Sequence, residues 1–205
     1  TRVATEALLT ATAQPVQVGL INDRIFLVNA SLGLYPQLLE DREAFKARFG
    51  RSRLIAMIAG LLRFLRNRSQ LNLDIEIEGE TRQVRTPTLF VGNNALQLTQ
   101  IGIPEAEALS RGRLVAIAMK PVGTLTMIGL LLRGAFGKLG DADQVVSFPL
   151  RKLSVRPPKQ KRVRRYKVAM DGEVTQLTSP LVFQVSPEPL LLMVPLTPVV
   201  EGKAT

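Results

Sequence analysis

Cysteine, histidine and tryptophan are all missing from the 205 residues of this chain. Without cysteine there is no disulfide framework and no thiolate metal site, which fits a cytoplasmic protein. Without histidine there is no Ser-His-Asp triad, no Cys-His pair and no imidazole-ligated zinc. Acid and base work must then fall to Asp, Glu, Lys or Tyr. Long apolar runs are missing too. The stretches around Thr126–Leu132 and Leu190–Leu196 are too short or too broken by proline to match the roughly 20 apolar residues that span a bilayer. No signal-like segment opens the sequence. It begins at Thr1 and not at methionine, so residues upstream are expected to matter.

Acidic residues are in deficit: 27 Lys and Arg stand against 17 Asp and Glu, a net charge of +10. Such a field favours polyanions or an anionic surface. The excess is local. Arg156, Lys159, Lys161, Arg162, Arg164, Arg165 and Lys167 follow one another with no acid between them. A second group, Arg48, Arg51, Arg53, Arg63, Arg66 and Arg68, flanks an apolar helical stretch. Nucleic acid is not the expected partner, because aromatics make up only 5% of the chain and no nucleic-acid motif is present.

The pattern reads as mainly β with helical excursions, a β-sandwich-like domain. Strands are expected at Val16–Leu20 and Arg24–Ala30, joined at Asn22-Asp23. Leu71–Glu78 alternates strictly and turns at Gly79-Glu80 into Arg82–Arg85. Its outward acids read as a solvated edge. Further strands are expected at Thr88–Gly92, Arg113–Met119, Val145–Val155, Arg162–Met170, Val174–Leu177, Leu181–Val185 and Leu190–Val194. Helices are expected at Thr1–Thr12, Asp41–Phe49, Arg53–Arg66 and Thr124–Leu139, with a helical turn at Pro104–Leu109. Asn29-Ala30-Ser31-Leu32-Gly33 and Asn93-Asn94 read as polar junctions at strand ends. No Walker-type or Rossmann-type glycine loop is present, so no phosphate cradle is visible.

The segment Lys167-Val168-Ala169-Met170-Asp171-Gly172-Glu173 has two readings. Asp-Gly after a β-type run is a hairpin signal, and the plain reading is a tight turn with two solvated acids. The other is chemical. Two carboxylates around a glycine, approached by basic residues, suit phosphoryl transfer, where positioning and charge neutralisation do most of the catalysis.

The order of these motifs, Asn29 to Gly33, Asn93-Asn94, Gly112-Arg113-Leu114 and then Lys167 to Glu173, resembles the diacylglycerol kinase and sphingosine kinase family of lipid kinases, in its bacterial soluble form. The resemblance runs from about Val16 to Pro195. It implies the C-terminal β-sandwich domain of an enzyme whose N-terminal nucleotide-binding domain, with a Gly-Gly-Asp-Gly-Thr signature, is absent from this sequence. Residues 1–15 would be the end of that domain or the connection to it, and 16–205 the lipid-substrate domain. By the same resemblance Asp171 is the base for the lipid hydroxyl and Glu173 sits on metal or phosphate. Asn29, Ser31 and Gly33 would line the cleft; Asn93 and Asn94 are expected to contact substrate with them, and the basic run itself points to Arg162, Arg164, Arg165 and Lys167 as residues that meet phosphate or membrane. ATP and Mg2+ would serve the intact enzyme. The partners implied are a lipid substrate, an anionic membrane surface touched peripherally, the missing nucleotide domain and a homodimer mate. In one respect the sequence departs from the family: Arg111-Gly112-Arg113-Leu114 stands where bacterial members carry an acid that holds a structural magnesium, and arginine cannot ligate that ion. The competing reading is a non-catalytic module that docks on anionic lipid.

Overall fold

The computed structural model describes residues 9–37, 39–40, 70–77, 79–157 and 163–195. The helices expected at Asp41–Phe49 and Arg53–Arg66, most of the one at Thr1–Thr12, and Lys159, Lys161 and Arg162 lie outside the described residues.

Two six-stranded antiparallel sheets face one another, as the alternation of apolar residues requires when each sheet buries one face. The first runs β3 (Arg24–Phe26), β2 (Gly19–Ile21), β13 (Leu181–Val185), β10 (Lys152–Arg156), β5 (Leu71–Ile77), β6 (Glu80–Thr86). The second runs β12 (Glu173–Thr178), β11 (Arg165–Met170), β4 (Asn29–Gly33), β7 (Thr88–Gly92), β8 (Leu114–Met119), β9 (Val145–Leu150). Between them lies a core that includes Ile21, Phe26, Leu32, Leu73, Leu89, Leu114, Leu153, Val168 and Phe183. Each such side chain contributes about 1.5–3 kcal/mol when fully buried. The outer face of the second sheet is covered in part by a short helix α1 (Ala95–Gln100) and a 3-10 helix (Pro104–Arg111), which bury Leu98, Ile103 and Leu109 against Val115 and Ile117. A second helix, α2 (Thr124–Ala135), is inserted between β8 and β9.

Several strands differ from the sequence expectation, each for a reason of packing. Arg24–Ala30 is not one strand: β3 ends at Phe26 and β4 begins at Asn29, because the chain crosses from one sheet to the other at Leu27-Val28. Asn29 to Gly33 is therefore a central strand and not a junction loop. Val145–Val155 likewise divides at Arg151, with β9 in the second sheet and β10 in the first. The Leu71–Ile77 strand is not an edge. It lies between β10 and β6, and its Asp74 is buried. The helix expected to reach Thr12 gives way to a strand, β1, at Ala11.

β1 (Ala11–Val16) pairs with β14 (Leu190–Pro195) in a separate antiparallel ribbon, from Ala11 opposite Pro195 to Val16 opposite Leu190. The sandwich has two distinguishable ends. At one, β11 turns into β12, β3 crosses to β4, and the ribbon joins β2 and β13. At the other, β10 ends at Arg156, β11 begins at Arg165, and α2 departs after Met119.

Candidate functional site

Asp171 and Gly172 form the two-residue turn between β11 and β12, with φ of 48° and 93°, and Met170 faces Glu173 across it. Positive φ at both positions is what a primed hairpin turn demands. The plain reading of Asp-Gly as a turn therefore holds for the backbone. The Asp171 side chain, however, is engaged. Its Oδ2 accepts the N–H of Leu27 at 2.7 Å, and its Oδ1 accepts the N–H groups of Val28 and Asn29 at 2.8 and 3.0 Å. The Asp171 N–H in turn donates to the Asn29 carbonyl at 3.0 Å. Leu27 and Val28 belong to no strand, so without this carboxylate their amides would lack ladder partners. Glu173 is exposed, and its side chain makes no hydrogen bond or ion pair among the described residues.

A polar network extends from this turn. Asn93 sits just beyond β7. Its Nδ2 donates to the carbonyls of Leu27 at 2.9 Å and Gln17 at 3.0 Å, and its Oδ1 accepts Gln17 Nε2 at 2.7 Å. Gln17 Nε2 also reaches the Arg113 carbonyl at 3.1 Å. Asn94 caps α1, its Oδ1 accepting the Gln97 N–H at 3.0 Å. Gln97 Oε1 accepts Asn29 Nδ2 at 3.2 Å. The structure thus gathers Asp171, Asn29, Asn93 and Asn94 at one end of the sandwich. It also commits both amides of the Asn93-Asn94 pair to the fold.

Asn29 Oδ1 and Ser31 Oγ are different. Both residues are buried, at 5% and 0% exposure, and neither oxygen has a hydrogen-bond partner. They stand two residues apart on β4, hence on one face of the sheet, the face that carries α1. Orphaned buried oxygens at alternate positions of one strand are unusual.

Four expected site residues are placed elsewhere. Gly33 ends β4 about 13 Å from Asn29 by strand rise. It serves the backbone there: its φ is 91°, and a Cβ would lie 2.2 Å from the Pro87 carbonyl oxygen. Arg165 begins β11 while Asp171 follows its end, a separation of about 20 Å; Arg164 and Arg165 precede the acids in sequence but do not stand beside them. Lys167 Nζ pairs with Glu40 at 2.7 Å. Arg164, at the same end as Arg165, lies over the Tyr166 ring at 5.2 Å; its N–H donates to Ser179 Oγ and its carbonyl accepts the Ser179 N–H, each at 2.9 Å. Arg111, where the family pattern has an acid, is exposed and lies 3.7 Å from Glu107. Gly112 beside it caps the 3-10 helix with φ of 68°.

Gln17 and Gln97 escaped the sequence reading. For Gln97 a signal existed: Asn94 followed three residues later by Gln97 is a capping-box spacing, and it marks α1. Gln17, a lone polar residue in an apolar stretch, gave none.

No family model matches the sequence. Solved structures do. A candidate diacylglycerol kinase from Bacillus anthracis str. Sterne superposes with a TM-score of 0.57 at 17% identity, over 90% of this chain and 57% of that one. A second structure of a candidate diacylglycerol kinase from the same source gives 0.55 at 17% identity with the same coverage. The chain shares the fold of the matched part of these bacterial proteins. It spans little more than half their length.

Proposed function

We propose that this chain is the lipid-substrate domain, the C-terminal part, of an ATP-dependent lipid kinase that phosphorylates the hydroxyl of a diacylglycerol-like lipid. The observation that carries the reading is a coincidence of position. The ribbon of β1 and β14, through which the chain enters and leaves the sandwich, springs from the end that holds Asp171, Asn29 and Asn93, and Gln17 just after β1 bonds directly to Asn93. A nucleotide-binding part continuous with that ribbon would face this end. The fold shared over 90% of the chain with candidate diacylglycerol kinases supports the same reading.

In the reaction the lipid hydroxyl oxygen bonds to the γ-phosphorus of ATP, the bond from that phosphorus to the β–γ bridging oxygen breaks, and ADP departs. Asp171 receives the hydroxyl proton. A carboxylate offers about four lone-pair sites; three are filled by backbone amides, which fix the group and leave one directed elsewhere. Glu173 is free to share a magnesium ion, which ordinarily takes one or two carboxylates together with substrate phosphates. Among the described residues no three acids gather into a cage that would hold a metal by itself. Asn29 Oδ1 and Ser31 Oγ, both buried, would meet the polar part of the lipid only once the cover over that face opens.

The experiment is transfer of labelled phosphate from ATP to dioleoylglycerol by this domain together with its nucleotide-binding part. Transfer that depends on Mg2+ supports the reading. A folded protein that binds diacylglycerol but never phosphorylates it would instead favour the non-catalytic lipid-binding module.

A further inference from the structure

We propose that the C-terminal end of α2 is a membrane-contact element that seats on an anionic bilayer surface. The helix is apolar on opposite sides. Leu130 is only 3% exposed, whereas Leu132 is 57% exposed and Phe136, in the turn that follows, 77%. A surface helix ordinarily turns its polar residues to water. Here Leu132 and Phe136 stand one turn apart on the outer face, and Gly129 in the same stripe is exposed as well. The tip is held in place. Lys138 N–H donates to the Arg133 carbonyl at 2.8 Å and Leu139 N–H to the Ile101 carbonyl at 3.0 Å. The backbones at Gly102 and Gly137 pack so closely that a Cβ at residue 102 would lie 2.1 Å from the Gly137 oxygen.

Charge selects the occupant. Arg133, between the two in sequence, and Lys138, just after them, are both exposed and neither is paired with an acid among the described residues. Asp141 and Asp143 follow only after Gly140 has brought the chain back against Gly102. Arg164 and Arg165 lie at the same end of the sandwich from which α2 departs. Exposed leucine and phenylalanine beside cations suit the boundary of headgroups and acyl chains, with the cations meeting anionic headgroups. This inference deepens the lipid-directed reading above. Its test involves no phosphoryl transfer, so the two fail separately.

The chain contains no tryptophan, so Phe136→Trp places a single fluorescent reporter at the tip. Its emission should shift to the blue on vesicles of phosphatidylcholine and phosphatidylserine and stay put on phosphatidylcholine alone. The Leu132→Ser/Phe136→Ser double variant should lose about tenfold in co-sedimentation with the anionic vesicles while melting like the parent. If it melts early, Arg133→Glu/Lys138→Glu provides the second reading and should show the same loss. Unchanged emission on anionic vesicles, equal shifts on neutral ones, or undiminished binding by folded variants would overturn the proposal. So would a blue shift that grows with protein concentration in the absence of lipid, which would mean that a second copy covers the tip.

Discussion

Asp171 and Asn29 exchange hydrogen bonds: the Asp171 N–H donates to the Asn29 carbonyl, and the Asn29 N–H donates to Asp171 Oδ1, each at 3.0 Å. Through this exchange a hairpin turn late in the chain pins the point where the early chain leaves one sheet for the other. The turn thereby fixes the only stretch of backbone that links β3 to β4, and with it the strand that carries the orphaned oxygens of Asn29 and Ser31.

Asn93 should be the second support of that end. Asn93→Ala removes its bonds to Gln17 and Leu27, and the loss in stability should be about 1–3 kcal/mol. Hydrogen exchange would locate the damage: faster exchange at Leu27-Val28 and in the β1–β14 ribbon, with the core of the second sheet unchanged. Uniform acceleration across both sheets would contradict this placement.

Gly33 is required by the backbone. Gly33→Ala combines a left-handed φ with a Cβ directed into the Pro87 carbonyl, and should cost about 2 kcal/mol or more. Thermal melting checks this. Lipid affinity per folded molecule should stay at the parental level.

Tyr166 gives a pH signature. Its hydroxyl is buried without a partner, and burial pushes its pKa above the ordinary value of 10.0; Asp74 adds to the rise and Arg164 opposes it. The folded state therefore keeps the phenol proton where the unfolded chain releases it. Stability from this group is intact below pH 10 and falls as the pH rises from there through the folded-state pKa. Tyr166→Phe should remove that alkaline loss. At neutral pH it should be neutral or stabilising by up to about 1 kcal/mol, because no hydrogen bond is given up. Urea melts of both proteins at neutral and alkaline pH test the pair of statements.

Much of the sandwich was legible because its information is local. The alternation in Leu71–Ile77 and the apolar runs Thr88–Gly92 and Leu181–Val185 declare strands within a few residues. What stayed hidden depends on partners far along the chain. Nothing near Leu27-Val28 says that its amides turn to a carboxylate at residue 171, and nothing near Arg151 says that the chain changes sheets there. The candidate site shows the same division. Asp171, Asn29, Asn93 and Asn94 could be picked out as polar residues at strand ends. That Asn93 and Asn94 are spent on the fold, and that Gly33 and Arg165 lie at the other end, required the register of β4 and β11. Nearness of Lys167 and Asp171 in sequence does not make them neighbours in space, since each residue along a strand adds about 3.3 Å.

The acid pair provides the most direct test. In the intact, phosphorylating protein Asp171→Asn keeps an oxygen for Val28 and Asn29, loses the acceptor for Leu27, and can no longer take up a proton. It should lower stability by about 1 kcal/mol and kcat by about 10²- to 10⁴-fold, with KM for the lipid little changed. Glu173→Gln, with no contact to lose, should leave the melting temperature alone and raise the Mg2+ requirement. If Asp171→Asn, corrected for its folded fraction, turns over diacylglycerol at the parental rate, Asp171 is only the clasp of the β3–β4 crossover and the proposed chemistry is wrong.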